Sequence, residues 1–520
     1  MRADDDKTLA STSVSRCPSP PPPEYEIVAF HENDPDDPTN WSTKRKNGIL
    51  TMICLLGFAA VFGSSSYAPG TMQIRMLYGV SDTVASLGVA LYVAGFGIGP
   101  LFSGPITEMY GKRKPYLISW ALLIATTVPS AFAENLAVIL VFRFLSGVCA
   151  SCPLNTGASV IADLYIHDLP NLGKAVVLFS TAALQGPVIG SLVGFFIAAH
   201  SGRQLWVIRV HFFFCVALIP LVLLFPETYP PEILLQRAKR MRKEGKTNAR
   251  AAHELHGKTT MQVVQGHVFR PMAMIIREPI VQGSAAWISL GYGIIYFFFQ
   301  AFPIVFIKQH GIPFQLCGLL FIGVTLGMLL AVFPYAWLIK TFRRLPLPGI
   351  DKPGNETQPE STLKVVLTAC VLLPASMFWF AWASGPETHW IVATLAGIPF
   401  GYSSLMVFFA FLSYNAHTYG VYASSAGAAN TFVRSLVAAS FPLFATPMLE
   451  DLGTKWGISV FGFLSVFLLP IPLIYIRYGE ALRARSHFAR EARELAAGMH
   501  HKHKVPEDEK RRETVEIGEV

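Results

Sequence analysis

The stretch Gly104-Pro-Ile-Thr-Glu-Met-Tyr-Gly-Lys-Arg-Lys114 is a short charged segment between two long apolar runs. It carries one acidic residue followed by three consecutive basic ones, namely Glu108, Lys112, Arg113 and Lys114. A connection this short cannot be a linker between soluble domains, so its charges must lie where water meets a membrane. The stretch therefore predicts a turn that joins two membrane-spanning helices.

The composition of the whole chain supports a membrane protein. Of the 520 residues, 52% are hydrophobic and only 15% are charged, and the mean hydropathy is +0.42. A soluble protein carries about 25% charged residues. The net charge of +8 comes from basic residues in the connections between apolar runs, as the positive-inside rule requires, so no nucleic-acid partner is expected.

Twelve apolar runs have about the 20 residues that a helix needs to cross the hydrocarbon core. The predicted spans are residues 48–67, 83–104, 116–133, 138–161, 175–199, 208–226, 281–305, 316–340, 364–384, 389–413, 424–446 and 457–477.

The distribution of charge gives an independent test of that count. With the N-terminus in the cytosol, the short inner connections hold Lys112, Arg113, Lys114, Lys174, Arg343, Arg344 and Lys352. The outer connections hold only Arg75, Arg203, Lys308 and Lys455. This bias predicts that both termini are cytosolic, and one span more or fewer would destroy it.

The spans fall into two groups of six, which predicts an all-α integral membrane fold of two six-helix bundles. The connector between them is rich in Lys and Arg and predicts a basic helix at the inner membrane surface, as a soluble connector or, less favoured, as a contact for anionic lipid. The predicted domains are a disordered cytosolic arm (1–46), a first bundle (47–226), a cytosolic loop (227–280), a second bundle (281–477) and a basic cytosolic tail (478–520).

No metal, cofactor or enzyme site is expected. Cys149 and Cys152 lie on one face of an apolar helix, which favours packing over redox or metal chemistry. The cluster His500-His501-Lys502-His503 belongs to a basic tail and is expected to be solvated. The sequons at Asn40 and Asn355 fall on the predicted cytosolic side and should be unmodified, and a phosphate-binding Walker loop is absent from the sequence.

The opening stretch resembles the signature of the major facilitator superfamily between spans two and three, through Gly104, Glu108, Gly111, Lys112 and Arg113. The resemblance implies a turn that latches two six-helix halves on the cytosolic side, with the substrate site between the halves near mid-membrane. Asp163, at the inner end of span four, is a candidate for the same network. The alternative is a basic loop that only sets topology.

Span five contains Gln185-Gly-Pro-Val-Ile-Gly-Ser-Leu-Val-Gly194. Gly186, Gly190 and Gly194 share one helix face and permit close helix approach, while Pro187 bends the helix. The stretch is similar to the antiporter signature of drug:proton exporters, which favours efflux over uptake. Ordinary packing of two helices is the alternative.

Arg143 lies inside span four, where an arginine is expensive and by default functional. It resembles the family's span-four arginine, which is associated with proton coupling. The further candidates for a substrate cavity are Asn155, Gln185, Tyr292, Tyr296, Gln300, Asn430 and Arg434. Asn430 and Arg434 are four residues apart and share a face, which fits ligand contacts and helix-to-helix contacts equally well.

Tyr292, Tyr296 and Gln300 form one aromatic and polar stripe on span seven. Members of the family often have glutamate where this chain has Gln300, and no Asp or Glu lies well inside any predicted span. Because the amines of a polyamine need paired acids, the stripe favours a neutral or weakly acidic ring-bearing substrate. Simple helix packing is again the alternative.

Further segments resemble the fungal twelve-span drug:proton antiporters, in the branch of polyamine and multidrug exporters, over residues 38 to 490. They include Asn40-Trp41-Ser42, Tyr67-Ala-Pro-Gly70, Pro226-Glu-Thr-Tyr229 and Ala429-Asn-Thr-Phe-Val-Arg-Ser435. The resemblance implies a monomeric exporter of small amphipathic organic compounds in the plasma membrane, driven by protons and surrounded by lipid. The alternatives are a polyamine:proton antiporter, a proton-coupled nutrient symporter and a sensor that does not transport.

Overall fold

Long apolar helices make up most of the chain in the computed structural model, which describes residues 25–201, 205–256, 260–333, 335–344 and 359–503. The predictions that concern Arg203, Lys352 and Asn355 lie outside these residues, as do those for the side chains of Arg343, Arg344 and the His500 cluster.

Six apolar helices form the first half. Ser42, Ser81 and Asn135 begin three of them, since each side chain accepts a hydrogen bond from an amide of the first turn. The helices are α1 Thr43–Ser65, α2 Asp82–Tyr110, α3 Arg113–Phe132, α4 Leu136–Tyr165, α5 Leu169–Ser201 and α6, which consists of Leu205–Ala217 and Ile219–Leu224.

The second half contains six more. They are α7 Pro279–Phe302 with a π-helical extension Pro303–Gln309, α8 Phe314–Val332, α9 Val366–Trp382, α10 Gly397–Tyr419, and α11 and α12, which share the continuous stretch Ala423–Leu468. Gly453 separates α11 from α12, because its φ of 72° and ψ of 162° are not helical.

Within the described residues, ten helical runs are long and apolar enough to cross a membrane. The last run, Trp390–Arg485, contains α10, α11 and α12, so the number of spans is twelve. The expectation of an all-α membrane fold with twelve spans is confirmed. Several boundaries differ by a few residues: for example, the predicted span 316–340 ends at Val332, Tyr335–Arg344 is a separate helix, and α10 begins at Gly397 rather than at residue 389.

Shorter elements connect the spans and cover their inner ends. The α-helices are Thr71–Tyr78, Pro230–Lys243, Ala252–His256, Thr260–Val264, Arg270–Arg277, Trp390–Leu395, Pro470–Arg485 and His487–His503. Short 3-10 turns lie at Pro38–Asn40, Ala68–Gly70, Pro359–Val365 and Gly420–Tyr422, and a π-helical turn at Gln265–Phe269.

The two halves meet along two helix pairs. Within the first half α1 packs on α5 and α2 on α4, and within the second half α7 packs on α11 and α8 on α10. Between the halves, α2 contacts α11 and α5 contacts α8. The interface thus runs through the centre of the molecule, where the sequence placed the substrate site.

The N-terminal arm, predicted to be disordered over residues 1–46, instead has an ordered structure from residue 25. Its strand β1, Glu26–Val28, pairs in parallel with strand β2, Ala249–Ala251, with Val28 opposite Ala251. Val28 is buried there with Ala238, Ala249 and Ala251. The apolar surface that orders the arm comes from the distant central loop, so composition alone could not reveal it.

An ion pair attaches the arm to the basic helix Pro230–Lys243. Arg237 donates to both carboxylate oxygens of Asp34, at 2.6 and 2.8 Å, and to Asp36 at 2.8 Å. The hydrogen bonds from Arg237 hold the pKa of Asp34 well below its usual range. Arg242 of the same helix pairs with Glu254 at 2.8 Å. These basic side chains therefore hold the connector together.

The chain after α12 also packs against the inner ends of the spans. The backbone amide of Phe488 donates to the carboxylate of Glu278 at 3.2 Å. The hydroxyl of Tyr422 donates to Glu491 at 2.8 Å. The tail is thus helical as far as His503, and its first turns cover the start of α7.

Replacing Arg237 with alanine should release the arm, because Asp34 and Asp36 then lose their shared guanidinium. A bidentate charged hydrogen bond contributes about 1.5–3 kcal/mol, so amide hydrogen exchange in residues 26–28 should accelerate by at least about tenfold. Lys239→Ala, at an exposed position of the same helix, is the control.

Because the pKa of Asp34 is depressed, the ion pair stabilises the attached arm fully above the ordinary carboxyl pKa. This stabilisation is lost only when the pH falls below that value. The protection of these amides should therefore persist at pH 5, begin to weaken below about pH 4 and be lost only as the pH falls through the depressed pKa of Asp34. Unchanged exchange in Arg237→Ala would contradict the assigned role of the pair.

Candidate functional site

The Gly104–Lys114 stretch forms the end of α2 and the turn into α3. Gly111 has a φ of +78°, and a Cβ there would lie 2.4 Å from a carboxylate oxygen of Glu227, so the position requires glycine. Glu227 accepts hydrogen bonds from the amides of Lys112 and Arg113, at 2.9 and 3.1 Å. A carboxylate at the N-terminus of α3 is favourable because the helix dipole is positive there.

Lys112 turns inward from this turn and pairs with Asp163 at the inner end of α4. Only 6% of the lysine side chain and 15% of the aspartate side chain are exposed. Burial lowers the pKa of Lys112, while the carboxylates of Asp163 and Glu227 act in the opposite direction. Burial raises the pKa of nearby Tyr229 to about 12, and the same carboxylates add to the shift. The pair therefore joins the turn between α2 and α3 to α4 within the first half.

Glu108 points the other way, toward the second half. Its Oε2 lies 3.3 Å from Nδ1 of His267, in the π-helical turn Gln265–Phe269 of the connector. A Cβ at Gly104 would lie 2.6 Å from the same imidazole, so His267 sits directly on α2. The hydroxyl of Ser425, on α11, donates to the carbonyl of Gly266 at 3.1 Å. The connector turn thus lies between α2 and α11.

The predicted latch residues therefore do not form a single cluster. Lys112 and Asp163 meet inside the first half, and Lys114 pairs with Glu232 of the connector at 3.4 Å. The side chain of Arg113 is exposed. Glu227 and His267 were not among the predicted site residues. Glu227 lies in the family-like segment Pro226–Tyr229, but the local sequence does not identify the partners of Glu227 or His267, because these come from distant segments.

Arg143 is buried among α1, α2 and α4, with 2% of its surface exposed. The guanidinium group of Arg143 faces the rings of Tyr92 and Tyr67, whose centroids lie 4.4 and 4.9 Å from its Cζ. Its donors reach three backbone carbonyls, those of Gly88 at 2.9 Å, Gly63 at 2.8 Å and Ser64 at 3.2 Å. The guanidinium is thus well satisfied without a carboxylate.

His211 of α6 lies beside this group and was missed in the sequence. It is 1% exposed, and its Nε2 lies 3.2 Å from the Ala59 carbonyl oxygen. A Cβ at Gly63 would lie 2.2 Å from its ring, so the imidazole packs directly on α1. The available signal was an ionisable residue inside an apolar span, the same signal that identified Arg143.

The stripe on α7 faces the first half. The hydroxyl of Tyr296 lies 2.8 Å from that of Ser64 on α1 and 3.3 Å from that of Tyr292. Gln300 donates to the hydroxyl of Ser86 on α2 at 3.2 Å. The predicted alignment of the three side chains is therefore present, and in this conformation two of them bridge the halves.

Arg434 on α11 lies at the inner end of the same stripe. Its Cζ is 4.8 Å from the ring centroid of Tyr292 and 5.1 Å from that of Phe408 on α10. Asn430, one turn away, donates to Ala426 of its own helix at 3.0 Å and contacts Ser284 of α7 at 3.5 Å. The hydrogen bonds of Asn430 thus lie within the second half.

The other two predicted cavity residues lie at different places. Gln185 on α5 donates to the carbonyl of Thr325 on α8 at 3.2 Å, so it connects the halves at their second contact. Asn155 is half-buried on α4, and the structure does not bring it to the α7 stripe through a hydrogen bond among the described residues.

The glycines of α5 lie against α1. A Cβ would lie 3.0 Å from the Phe58 carbonyl oxygen at Gly186, 2.6 Å from the Phe62 carbonyl oxygen at Gly190 and 2.7 Å from the Ser66 carbonyl oxygen at Gly194. Pro187 lies inside the helix between the first two. The three glycines therefore set the distance between α1, which carries Ser64, and α5.

Gly190→Ala should separate these helices, because its methyl group would meet the Ser65 hydroxyl at 2.5 Å as well as the Phe62 carbonyl. Overpacking of this kind costs about 1–3 kcal/mol. The thermal unfolding midpoint of the purified protein should fall. Gly173→Ala on the same helix, where a Cβ would meet no atom within 4 Å, should leave the midpoint unchanged or raise it. Equal midpoints for the two variants would show that this helix contact is not tight.

The comparisons with known proteins agree with this architecture. Residues 53–442 match the family Major Facilitator Superfamily. The chain is 34% identical over 501 residues to "Efflux pump FUBT" of Fusarium oxysporum, covering 93% of this chain and 82% of the relative. It is 36% identical over 466 residues to "Citrinin biosynthesis cluster MFS transporter mrr1" of Monascus ruber, covering 88% and 91%. It is 34% identical over 482 residues to the "Major facilitator superfamily multidrug transporter mdrA" of Aspergillus fumigatus, covering 91% and 78%.

Solved structures share the fold at low sequence identity. The proton:xylose symporter XylE, bound to 6-bromo-6-deoxy-D-glucose, superposes with a TM-score of 0.57 at 18% identity, covering 83% of this chain and 96% of that one. The human organic anion transporter MFSD10 gives 0.55 at 15% identity, covering 83% and 100%. With the family match and the fungal relatives, these findings establish that the chain is a membrane transporter rather than an enzyme and belongs to the Major Facilitator Superfamily.

Proposed function

We propose that the protein exports small amphipathic organic compounds from the cytosol in exchange for protons. The observation that carries this proposal is the interface between the halves, where aromatic and polar side chains of α7 meet α1 and α2 without a carboxylate. The direction of transport is supported by the relatives that are named efflux pumps and by the antiporter-like glycines of α5. Both termini face the cytosol, and the protein works as a monomer in the plasma membrane.

Transport proceeds by alternating access, and the contacts between the halves support a state that is closed at the outer side. There the rings of Phe195 and Phe314 lie 5.2 Å apart, and the hydroxyl of Thr83 donates to Leu443 at 3.3 Å. Toward the cytosol, a Cβ at Gly427 of α11 would meet no atom within 4 Å. The halves are thus in contact at the outer side, and at the cytosolic side they are linked through the connector turn.

Arg143 takes part in proton coupling indirectly. Its guanidinium donates to the carbonyl oxygen of Ser64, and the hydroxyl of Ser64 forms a hydrogen bond with Tyr296 of the second half. Separation of the outer ends must break this hydrogen bond, so the state of the Arg143 site and the position of the halves are connected.

The substrate is bound between the halves near mid-membrane, as in other transporters with this architecture. Tyr292 and Tyr296 offer ring faces, and Gln185 and Gln300 offer amides at the two places where the halves touch. This lining fits a compound with an aromatic or alicyclic body and few polar groups. It offers no paired carboxylates for a polyamine.

Inside-out vesicles test both the direction and the coupling. Acidification of the lumen should drive accumulation of at least one of 2-naphthoate, 2-naphthamide and 2-naphthylmethylamine, beyond that in vesicles that lack the protein. A protonophore should abolish the excess, and spermidine should not compete. A proton symporter for uptake would carry substrate out of the acid lumen, so depletion instead of accumulation would overturn the proposed direction.

The turn at the end of α2 acts as the cytosolic latch through the connector. Glu108 holds His267, and the adjacent Gly266 is held by Ser425 of α11, so the connector couples the inner ends of both halves. Lys112 and Asp163 keep the inner ends of α2 and α4 in a fixed relation to each other. The latch thus requires both an attachment to the connector and a rigid first half.

Glu108→Gln should slow export because the connector loses a charged contact with α2. A hydrogen bond of this kind contributes about 1 kcal/mol, which corresponds to about fivefold in rate. The initial rate in the vesicle assay measures the effect, and immunoblotting should give equal amounts in the membrane. Glu134→Gln, at an exposed position beyond the outer end of α3, is the control. Equal rates for both variants would remove Glu108 from the latch.

A further inference from the structure

Arg434 is a buried cation whose hydrogen-bonding capacity is unused. Its side chain lies on the membrane helix α11 with 7% of its surface exposed. Its Nε is buried and has no acceptor, and the guanidinium forms neither a hydrogen bond nor an ion pair with any described residue. The ionisable groups that influence it are the neutral phenols Tyr292 and Tyr296. A planar fork of N–H donors is therefore available in an apolar setting.

The other arginine inside a span provides the contrast. Arg143 has the same chemistry, is also buried and also stacks on aromatic rings, yet three backbone carbonyls take up its donors. Its neighbours therefore account for its position. The neighbours of Arg434 supply ring faces only. Since an unsatisfied buried donor is costly, Arg434 needs an acceptor that the described residues do not provide.

The surroundings of Arg434 resemble a binding site for a ring-bearing molecule. The rings of Tyr292 and Phe408 lie within about 5 Å of its Cζ, on α7 and α10 respectively. Tyr292 is linked through Tyr296 to Ser64, so the site adjoins the first half. The helix α11 covers residues 423–452 and Arg434 is near its middle, which places the guanidinium close to the bilayer centre.

Open space lies on the same face of α11 as Arg434. Gly427 precedes Arg434 by seven residues, and two helical turns bring both to the same face of α11. A Cβ at Gly427 would meet no atom within 4 Å, so open space lies two helical turns before Arg434.

We propose that Arg434 binds the carboxylate of a ring-bearing organic acid and thereby makes organic anions the preferred substrate class. The proposal rests on the proposed function and narrows its substrate. The carboxylate accepts the free N–H donors of Arg434, in the bidentate geometry that guanidinium favours, while the ring packs against Tyr292 and Phe408. A neutral amide binds more weakly, and a cation is repelled.

Binding to the full chain, purified in a nonionic detergent, tests this assignment. The probes are 2-naphthoate, 2-naphthamide and 2-naphthylmethylamine, which share the ring and differ in charge. Isothermal titration should give naphthoate at least about tenfold higher affinity than the amide, the difference expected for charged hydrogen bonds. The amine should bind most weakly. Equal or tighter binding of the amide or the amine overturns the proposal, as does the absence of naphthoate binding.

Variants assign the preference to one side chain. Arg434→Gln should lose the preference for naphthoate while its affinity for the amide stays within about twofold. Arg434→Lys should retain part of the preference, since the charge remains and the fork is lost. The matched control is Arg209→Gln on α6, because Arg209 also stacks on aromatic rings, 4.9 Å from Phe132 and 5.3 Å from Trp206. Undiminished preference in Arg434→Gln overturns the proposal.

Gel filtration verifies folding, and Arg434→Lys carries the test if the glutamine variant does not fold. The vesicle assay separates this inference from the proposed function. Proton-driven accumulation that Arg434→Gln leaves unchanged in rate and selectivity refutes the inference alone. Binding that depends on Arg434, without proton-driven accumulation of any probe, refutes the proposed function alone.

Discussion

A guanidinium inside a membrane helix must find acceptors for its N–H donors, because lipid offers none. Much of the central structure depends on this requirement. Arg143 satisfies it with carbonyls of α1 and α2, and so fixes three helices of the first half relative to one another. Arg434 leaves the requirement unmet by the described residues. One buried cation therefore belongs to the framework, and the other has donors that the described residues leave unused.

Close approach of helix backbones makes these positions possible. The glycines of α5 bring α1 near enough that Ser64, at the end of α1, meets both Arg143 and Tyr296. With larger side chains in α5, α1 would move away and the contact between the halves would lengthen. Helix association in lipid depends on such packing, because there is no hydrophobic driving force between helices. The small residues thus determine where the polar groups of the interface can meet.

At the end of the molecule that carries the connector, ionic contacts replace close packing. Glu227 holds the turn into α3, Lys112 pairs with Asp163, and Glu108 reaches His267 in the connector. The N-terminal arm adds a strand and the Asp34–Arg237 pair to the same connector. Segments from both ends of the first half therefore converge on the loop that joins the halves. Movement of one half relative to the other would therefore have to change contacts in this assembly.

The sequence determined the features that depend on local hydrophobicity and charge. The twelve spans and their grouping into two halves follow from the lengths of the apolar runs. The alignment of Tyr292, Tyr296 and Gln300 on one face of α7 follows from the helical period. Tertiary structure alone decided which groups meet. Glu227, His267 and His211 join the site through partners far away in the chain, and the arm is ordered by Ala249 and Ala251. The different states of Arg143 and Arg434 are also invisible in the sequence, because satisfaction of a buried donor depends on which backbone carbonyls the packed helices bring within reach.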